Sequence, residues 1–286
     1  MPSSRRKTKP ARARASRSAA ATPAVKPARR TKWEFDAAIF DMDGVITETA
    51  AVHSLAWKQM FDEYLKRRER KLGEPFKEFS HTHDYLKYVD GKPRYQGVAS
   101  FLESRSIKLP AGSPDDAPDA ETIAGLGNRK NQLFNHIIET SGVRVFGSTL
   151  VLIHDLRRGR IKVGLATSSR NSALILAKTQ TRSLFGTVVD GIVSEQLGLK
   201  GKPHPDIFTT ASANLRVAPA RAIVVEDAVS GVRAGAAGGF ALVIGVARER
   251  NEAELRTNGA DVVVRDLAEI NLEEINRQVR LKRGAA

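Results

Sequence analysis

Apolar positions fall into two rhythms along the chain. Phe35-Asp-Ala-Ala-Ile-Phe40 is a short apolar run that stops at the polar turn Asp41-Met-Asp43-Gly44, the pattern of a buried strand. Over Ala50–Lys66, Val52, Leu55, Ala56, Met60, Phe61 and Leu65 recur at helical spacing, which predicts an amphipathic helix. Residues 66–91 are irregular, charged and punctuated by Gly73 and Pro75. Tyr95–Arg105 and Ala120–Thr140 read as helices on either side of the turn-rich segment 110–118. Residues 50–142 thus form a helical block without a strand.

Beyond it, β-branched runs alternate with helical ones. Strands are predicted at Ile161–Ala166, Val188–Ile192, Ala222–Val225, Phe240–Ile244 and Val262–Val264. Helices fall at Thr149–Arg157, Ser172–Thr179, Pro205–Asn214, Val229–Ala237 and Ala253–Asn258. Buried strands joined by helices predict an α/β fold, a Rossmann-like parallel sheet covered on both faces. The strand at 35–40 has to join that sheet, so the helical block is an insertion after the first strand. The organisation is then a catalytic core of residues 33–49 and 143–286 and a helical cap of residues 50–142. Such a cap lies over the carboxyl edge of the sheet, where folds of this kind bind ligands.

The 286 residues include 46 Lys and Arg against 32 Asp and Glu, a net charge of +14. Eleven of the basic residues and no acid lie in residues 1–32, leaving 35 against 32 for residues 33–286. The body is nearly neutral. The Ala-, Arg-, Lys-, Ser- and Pro-rich segment 1–32 carries nothing that offsets the entropy of ordering and is predicted to be a disordered basic tail. It is the place where nucleic acid or another polyanion could bind. The chain has no cysteine, which excludes disulfides, thiolate metal sites and a cysteine nucleophile. The longest uncharged apolar run, Ala234–Ala247, is too short to span a bilayer, and no secretory signal is present. A soluble cytoplasmic monomer is predicted.

Four segments at predicted strand ends or helix starts carry chemistry. In Asp41-Met42-Asp43, with Gly44 permitting a turn, two carboxylates reach one site. One can attack phosphorus while the other exchanges a proton with the incoming or leaving oxygen. Thr167-Ser168-Ser169-Arg170-Asn171 offers hydroxyls and N–H groups at a helix start, suited to a phosphate. Lys202 is a cation before a Pro-initiated helix, and Glu226-Asp227 can hold a hard cation. By order, spacing and placement this set resembles the haloacid dehalogenase superfamily over residues 35–265. The resemblance implies Asp41 as a nucleophile that becomes an aspartyl phosphate and Asp43 as general acid/base. It implies Thr167 and Lys202 on the phosphoryl oxygens, and one Mg²⁺ held by Asp41, Asp43, Glu226 and Asp227.

Residues 40–50, His53, Trp57, Asn128-Arg-Lys-Asn131, residues 166–171 and Gly201–Phe208 further resemble the β-phosphoglucomutase branch. That likeness implies interconversion of β-glucose 1-phosphate and glucose 6-phosphate, with glucose 1,6-bisphosphate as intermediate and primer. Arg94, after Gly91, would grip the non-transferring phosphate, a task suited to an Arg fork. His53, Trp57, Lys130, Ser168, Ser169, Arg170 and Asn171 fall at substrate-contacting positions. Two readings stand for His53: it orients Asp43, or it sits on the helix surface. His81 and His83 read as surface-loop residues, and Lys66–Lys71 as a solvated helix end. The chain departs from the branch at Glu48, where a hinge Asp stands, at Ala228, where a hydroxyl stands, and over residues 68–90, which lack a counterpart in shorter caps. A sugar-phosphate phosphatase with the same residues is the nearest rival, and a polyanion-binding protein acting through residues 1–32 a remoter one.

Overall fold

The computed structural model describes residues 33–284; the expectations for residues 1–32 lie outside them. Six strands form one parallel sheet: β1 (Ala37–Phe40), β2 (Lys162–Ala166), β3 (Thr187–Val189), β4 (Ala222–Glu226), β5 (Leu242–Val246) and β6 (Val262–Val264), in the order β3-β2-β1-β4-β5-β6. β1 is central, with Ala37 in register with both Lys162 and Ala222. The order reverses between β1 and β4, so the loops leaving their carboxyl ends diverge and open a crevice.

Both faces of the sheet are apolar because both are covered. Ala38, Phe40, Ile223 and Val225 pack on one side, and Ala37, Ile39, Ala222 and Val224 on the other. The insertion supplies α1 (Thr49–Leu72), a π-helical segment His81–Val89, α2 (Arg94–Ser104) and α3 (Ile123–Ser141). The first face takes α4 (Gly147–Arg158) and α5 (Ser172–Lys178). The short α6 (Gly191–Gln196) follows β3, and α7 (Asp206–Asn214), α8 (Val229–Ala237) and α9 (Glu252–Thr257) cover the second face. α10 (Leu272–Gly284) returns to the first face through Leu272, Ile275 and Val279.

Several boundaries differ from the sequence reading. α1 runs on through Lys66–Lys71 to Leu72, where Gly73 in the left-handed region closes it with its N–H on the Glu69 carbonyl (2.9 Å). Residues 81–89, read as irregular, are wound with N–H groups of Tyr85 and Asp90 on carbonyls five residues back. The strand expected at Val188–Ile192 stops at Val189, because Asp190 caps α6 by accepting from the N–H groups of Ile192 and Val193. β5 starts at Leu242 rather than Phe240, and α10 lies in a stretch where no element was predicted.

Two linkers join the insertion to the sheet, and they run side by side. Phe146 N–H donates to the Ile46 carbonyl (2.9 Å), Glu48 N–H to the Arg144 carbonyl (3.0 Å), and the Arg144 guanidinium pairs with the Glu48 carboxylate (2.5 Å). Glu48, the departure noted at the hinge, thus ties one linker to the other.

Candidate active site

The crevice between β1 and β4 collects the acids. Asp41 follows β1 directly, and its N–H donates to the Val225 carbonyl (2.9 Å), so its position is set by the sheet. Glu226 ends β4 and is buried. Lys202, also buried, donates to Asp41 Oδ1 (2.6 Å) and Glu226 Oε2 (3.0 Å). Burial disfavours the Lys202 ammonium, but Asp41 and Glu226 outweigh it and hold the ammonium charged. Burial also pushes up the Asp41 carboxyl, against the pull of Lys202. It pushes Glu226 up to about 8, with the Asp41 charge adding to the effect, and Asp227 well above the usual carboxylate range.

Carboxylate oxygens of Asp41, Glu226 and Asp227 lie within 4.8 Å of one another. An oxygen-only donor set of this spacing fits a hard divalent cation, and a single ammonium does not neutralise it. Gly44, at φ +80°, makes the approach of Asp227 possible: a Cβ there would lie 1.8 Å from Asp227 Oδ2. Gly231 is needed beside Glu226 for the same reason, its Cβ falling 2.1 Å from the Glu226 Cδ.

Asp43 occupies the other side of the turn. It accepts a short hydrogen bond from Thr49 Oγ1, and His53 Nε2 lies 3.3 Å from its Oδ1 without hydrogen-bond alignment. Burial would raise the Asp43 carboxyl, but His53, Thr49 and Lys130 together hold it below its ordinary value. His53 stacks on Phe134 (4.1 Å between ring centres), and its Nδ1 lies 2.5 Å from Lys130 Nζ. Lys130 is buried against the rings of Trp57 and Phe134. Burial and Arg94 push the Lys130 ammonium down, against the pull of Asp43, while burial and Lys130 push His53 down. Lys130 thus faces Nδ1 of His53, and Asp43 faces Nε2 of the same ring.

The expected substrate-side residues line the same cavity, Trp57, Arg94, Lys130, Ser168, Ser169, Arg170 and Asn171 among them. Buried Thr167 accepts from Ser169 N–H (3.1 Å). Asn131 Oδ1 accepts from both Arg94 Nη2 (2.7 Å) and Asn171 Nδ2 (2.8 Å), tying α3 to the start of α2 and to the loop before α5. Arg170 also reaches Glu195. Asn128 turns elsewhere, to the carbonyls of Pro114 and Asp116.

Tyr85 and Asp90 are among the lining residues that were not singled out in the sequence. The first-turn pattern Asp84-Tyr85 and the Asp90-Gly91 turn lay in the stretch read as irregular. Burial pushes Asp90 up to about 6, with the Asp41 charge adding to the effect and a hydrogen bond from Tyr85 opposing it. His81, read as a surface-loop residue, is instead ordered by Ser54 Oγ (2.7 Å) and stacks on Tyr85 (5.3 Å).

Comparison with known proteins gives a consistent set of relatives. A sequence model of the haloacid dehalogenase-like hydrolases matches residues 35–239. A Mycobacterium bovis protein named beta-phosphoglucomutase is 46% identical over 237 residues, covering 82% of this chain and 90% of that protein. A Bacillus subtilis protein of the same name is 33% identical over 85% of this chain and 94% of its own. Among solved structures, beta-phosphoglucomutase from Clostridium difficile superposes with a TM-score of 0.67 at 25% identity, covering 87% of this chain and 99% of that one.

Proposed function

The chain belongs to the haloacid dehalogenase-like hydrolases, and from that premise we propose a Mg²⁺-dependent β-phosphoglucomutase acting through an aspartyl phosphate. The observation that carries the reading is one cavity holding two kinds of equipment. Asp41, Lys202 and Thr167 surround a phosphoryl-transfer centre, and Arg94 lies at a second, cationic part of the same cavity beside Lys130. A bisphosphate that binds in two orientations needs both.

In this mechanism Asp41 Oδ attacks the phosphorus of the donor, and the phosphorus–oxygen bond to the leaving sugar breaks. Asp43, held ionised here, takes the proton of the sugar hydroxyl that attacks the aspartyl phosphate and, so loaded, gives it to the leaving oxygen of the next transfer. Lys202 and Thr167 hold the phosphoryl oxygens, with Ser168 and the amides leading into α5 nearby. Mg²⁺ held by Asp41, Asp43, Glu226 and Asp227 would neutralise charge between nucleophile and phosphoryl group. Arg94, with Lys130, Ser169, Arg170 and Asn171, would position the non-transferring phosphate and the sugar, and Trp57 would wall that end. Residues 50–142 act as a cap whose closure over residues 33–49 and 143–286 excludes water, so that sugar and not water receives the phosphoryl group. Support for closure comes from Ser168 Oγ on the Gly91 carbonyl (2.9 Å) and Ser230 Oγ on the Asp90 carbonyl (3.3 Å). We take a single chain as the working unit. No helix among the described residues is long and apolar enough to cross a membrane.

The test supplies purified protein with Mg²⁺, β-glucose 1-phosphate and a trace of glucose 1,6-bisphosphate. Glucose 6-phosphate forming without stoichiometric free phosphate is the expected result; phosphate release alone replaces the mutase by a sugar-phosphate phosphatase. Asp41→Asn should abolish either activity. Arg94→Ala should slow the mutase reaction far more than hydrolysis of a small phosphate ester, and equal losses would remove Arg94 from the second phosphate site.

A further inference from the structure

The residues just before Gly91 gather the contacts between the insertion and the sheet loops. The Asp90 and Gly91 carbonyls accept from Ser230 and Ser168, and His81 Nε2 lies 3.2 Å from the Glu249 carboxylate beyond β5. Approach there is close: a Cβ on Gly91, itself at φ +69°, would fall 2.2 Å from Ser230 Oγ. This seating turns the Asp90 side chain into the cavity, where it faces Asp41 and Asp227 and takes a hydrogen bond from buried Tyr85. With the insertion closed, Asp41, Asp90, Glu226 and Asp227 line one cavity, and the Lys202 ammonium among them is already engaged by Asp41 and Glu226.

The geometry points to Asp90 as a positioning residue for the divalent cation, carried by the cap instead of the sheet, so that cation binding and cap closure favour each other. Without a cation, closing brings a fourth carboxylate against three others, and repulsion opposes it. With a cation present the same carboxylate would be attracted instead. By reciprocity, closure tightens the cation. The role rests on the reading of the Asp41–Glu226–Asp227 group as a Mg²⁺ site, and adds to it a residue from the segment that shorter caps lack.

The experiment titrates Mg²⁺ by calorimetry into the substrate-free full-length protein and its Asp90→Asn variant, with small-angle X-ray scattering of each at zero and saturating Mg²⁺. Asp90→Asn is nearly isosteric and retains an acceptor for Tyr85, and a melting curve checks that it folds. Removing one charge at short range should weaken Mg²⁺ about three- to tenfold and shrink the Mg²⁺-induced contraction. Asp90→Glu, which restores the charge, should recover most of the affinity. Equal Mg²⁺ affinity in wild type and Asp90→Asn, or a full contraction in the variant, overturns the role of Asp90 and leaves the phosphotransferase standing. A wild type that turns over substrate but binds no Mg²⁺ overturns the metal site itself, and with it this inference.

Discussion

At the scale of single residues, the unusual feature is a pair of bases in contact beside an acid. Lys130 and His53 touch at 2.5 Å inside a buried site, and two neighbouring cations there would repel strongly. Lys130 lies over two aromatic faces, and burial pushes both bases toward their neutral forms. Lys130 thereby bears on the charge of the ring that Asp43 faces. Replacing Lys130 by Met removes the charge that depresses His53, and the imidazole pKa should rise. A charged His53 would then stabilise ionised Asp43 and make it a poorer proton donor. The expected result is an upward-shifted His53 titration by NMR, with kcat near neutrality falling about tenfold or more. An unmoved His53 titration would mean that Lys130 serves the substrate alone. None of this was legible from sequence, where His53 had two open readings: helical spacing places residues 53 and 57 on one turn but cannot bring α3 against them.

At the scale of elements, the turn after β1 concentrates the constraint. Gly44 takes φ +80°, and its missing Cβ is where Asp227 sits. Gly44→Ala should therefore cost stability, about 1–3 kcal/mol for the strained backbone, and should also weaken Mg²⁺ by displacing Asp227. Urea denaturation and calorimetry measure the two separately, and a variant with unchanged values in both would dismiss the clash. Most elements could be read from pattern because burial on both faces leaves β-branched runs with sharp polar ends, as at Ala222–Glu226. The misreadings have local causes. Asp190 is a helix cap inside an apolar run, so the apparent strand to Ile192 ends early. Lys66–Lys71 is the solvated end of α1, as its charges indicate, and only the boundary at Lys66 falls short, since Arg68 pairs with Glu74 and the helix runs on to Leu72. At His81–Val89 the wider winding breaks the spacing that reveals an ordinary helix, and that loss concealed Tyr85 and Asp90.

At the scale of the whole molecule, a net charge of +14 gives a poor picture of the site. The cavity gathers acids, and its stability without a cation should carry their signature. Asp41, Glu226 and Asp227 all titrate above their ordinary range, Glu226 at about 8 from an ordinary 4.5. The folded protein then keeps protons that the unfolded chain has released, so these groups make stability fall as pH rises through that interval. His53 works in the opposite sense only up to its ordinary 6.5, since it is held neutral in the fold and charges on unfolding below that pH. Above about 6.5 the acids are opposed by Lys130: burial and Arg94 push its ammonium down, so it makes stability rise with pH. The melting temperature of chelator-treated protein reports the difference of the two. One excess proton corresponds to about 1.4 kcal/mol per pH unit, a few degrees in a domain of this size. Mg²⁺ takes the place of those protons, so saturating Mg²⁺ should remove the acids' share of the pH dependence and raise the melting temperature most at the alkaline end. Thermal melts from pH 6 to 9, with chelator or with Mg²⁺, measure both effects. A melting temperature that Mg²⁺ leaves unchanged at pH 8 would show that the acids do not form the cation's site.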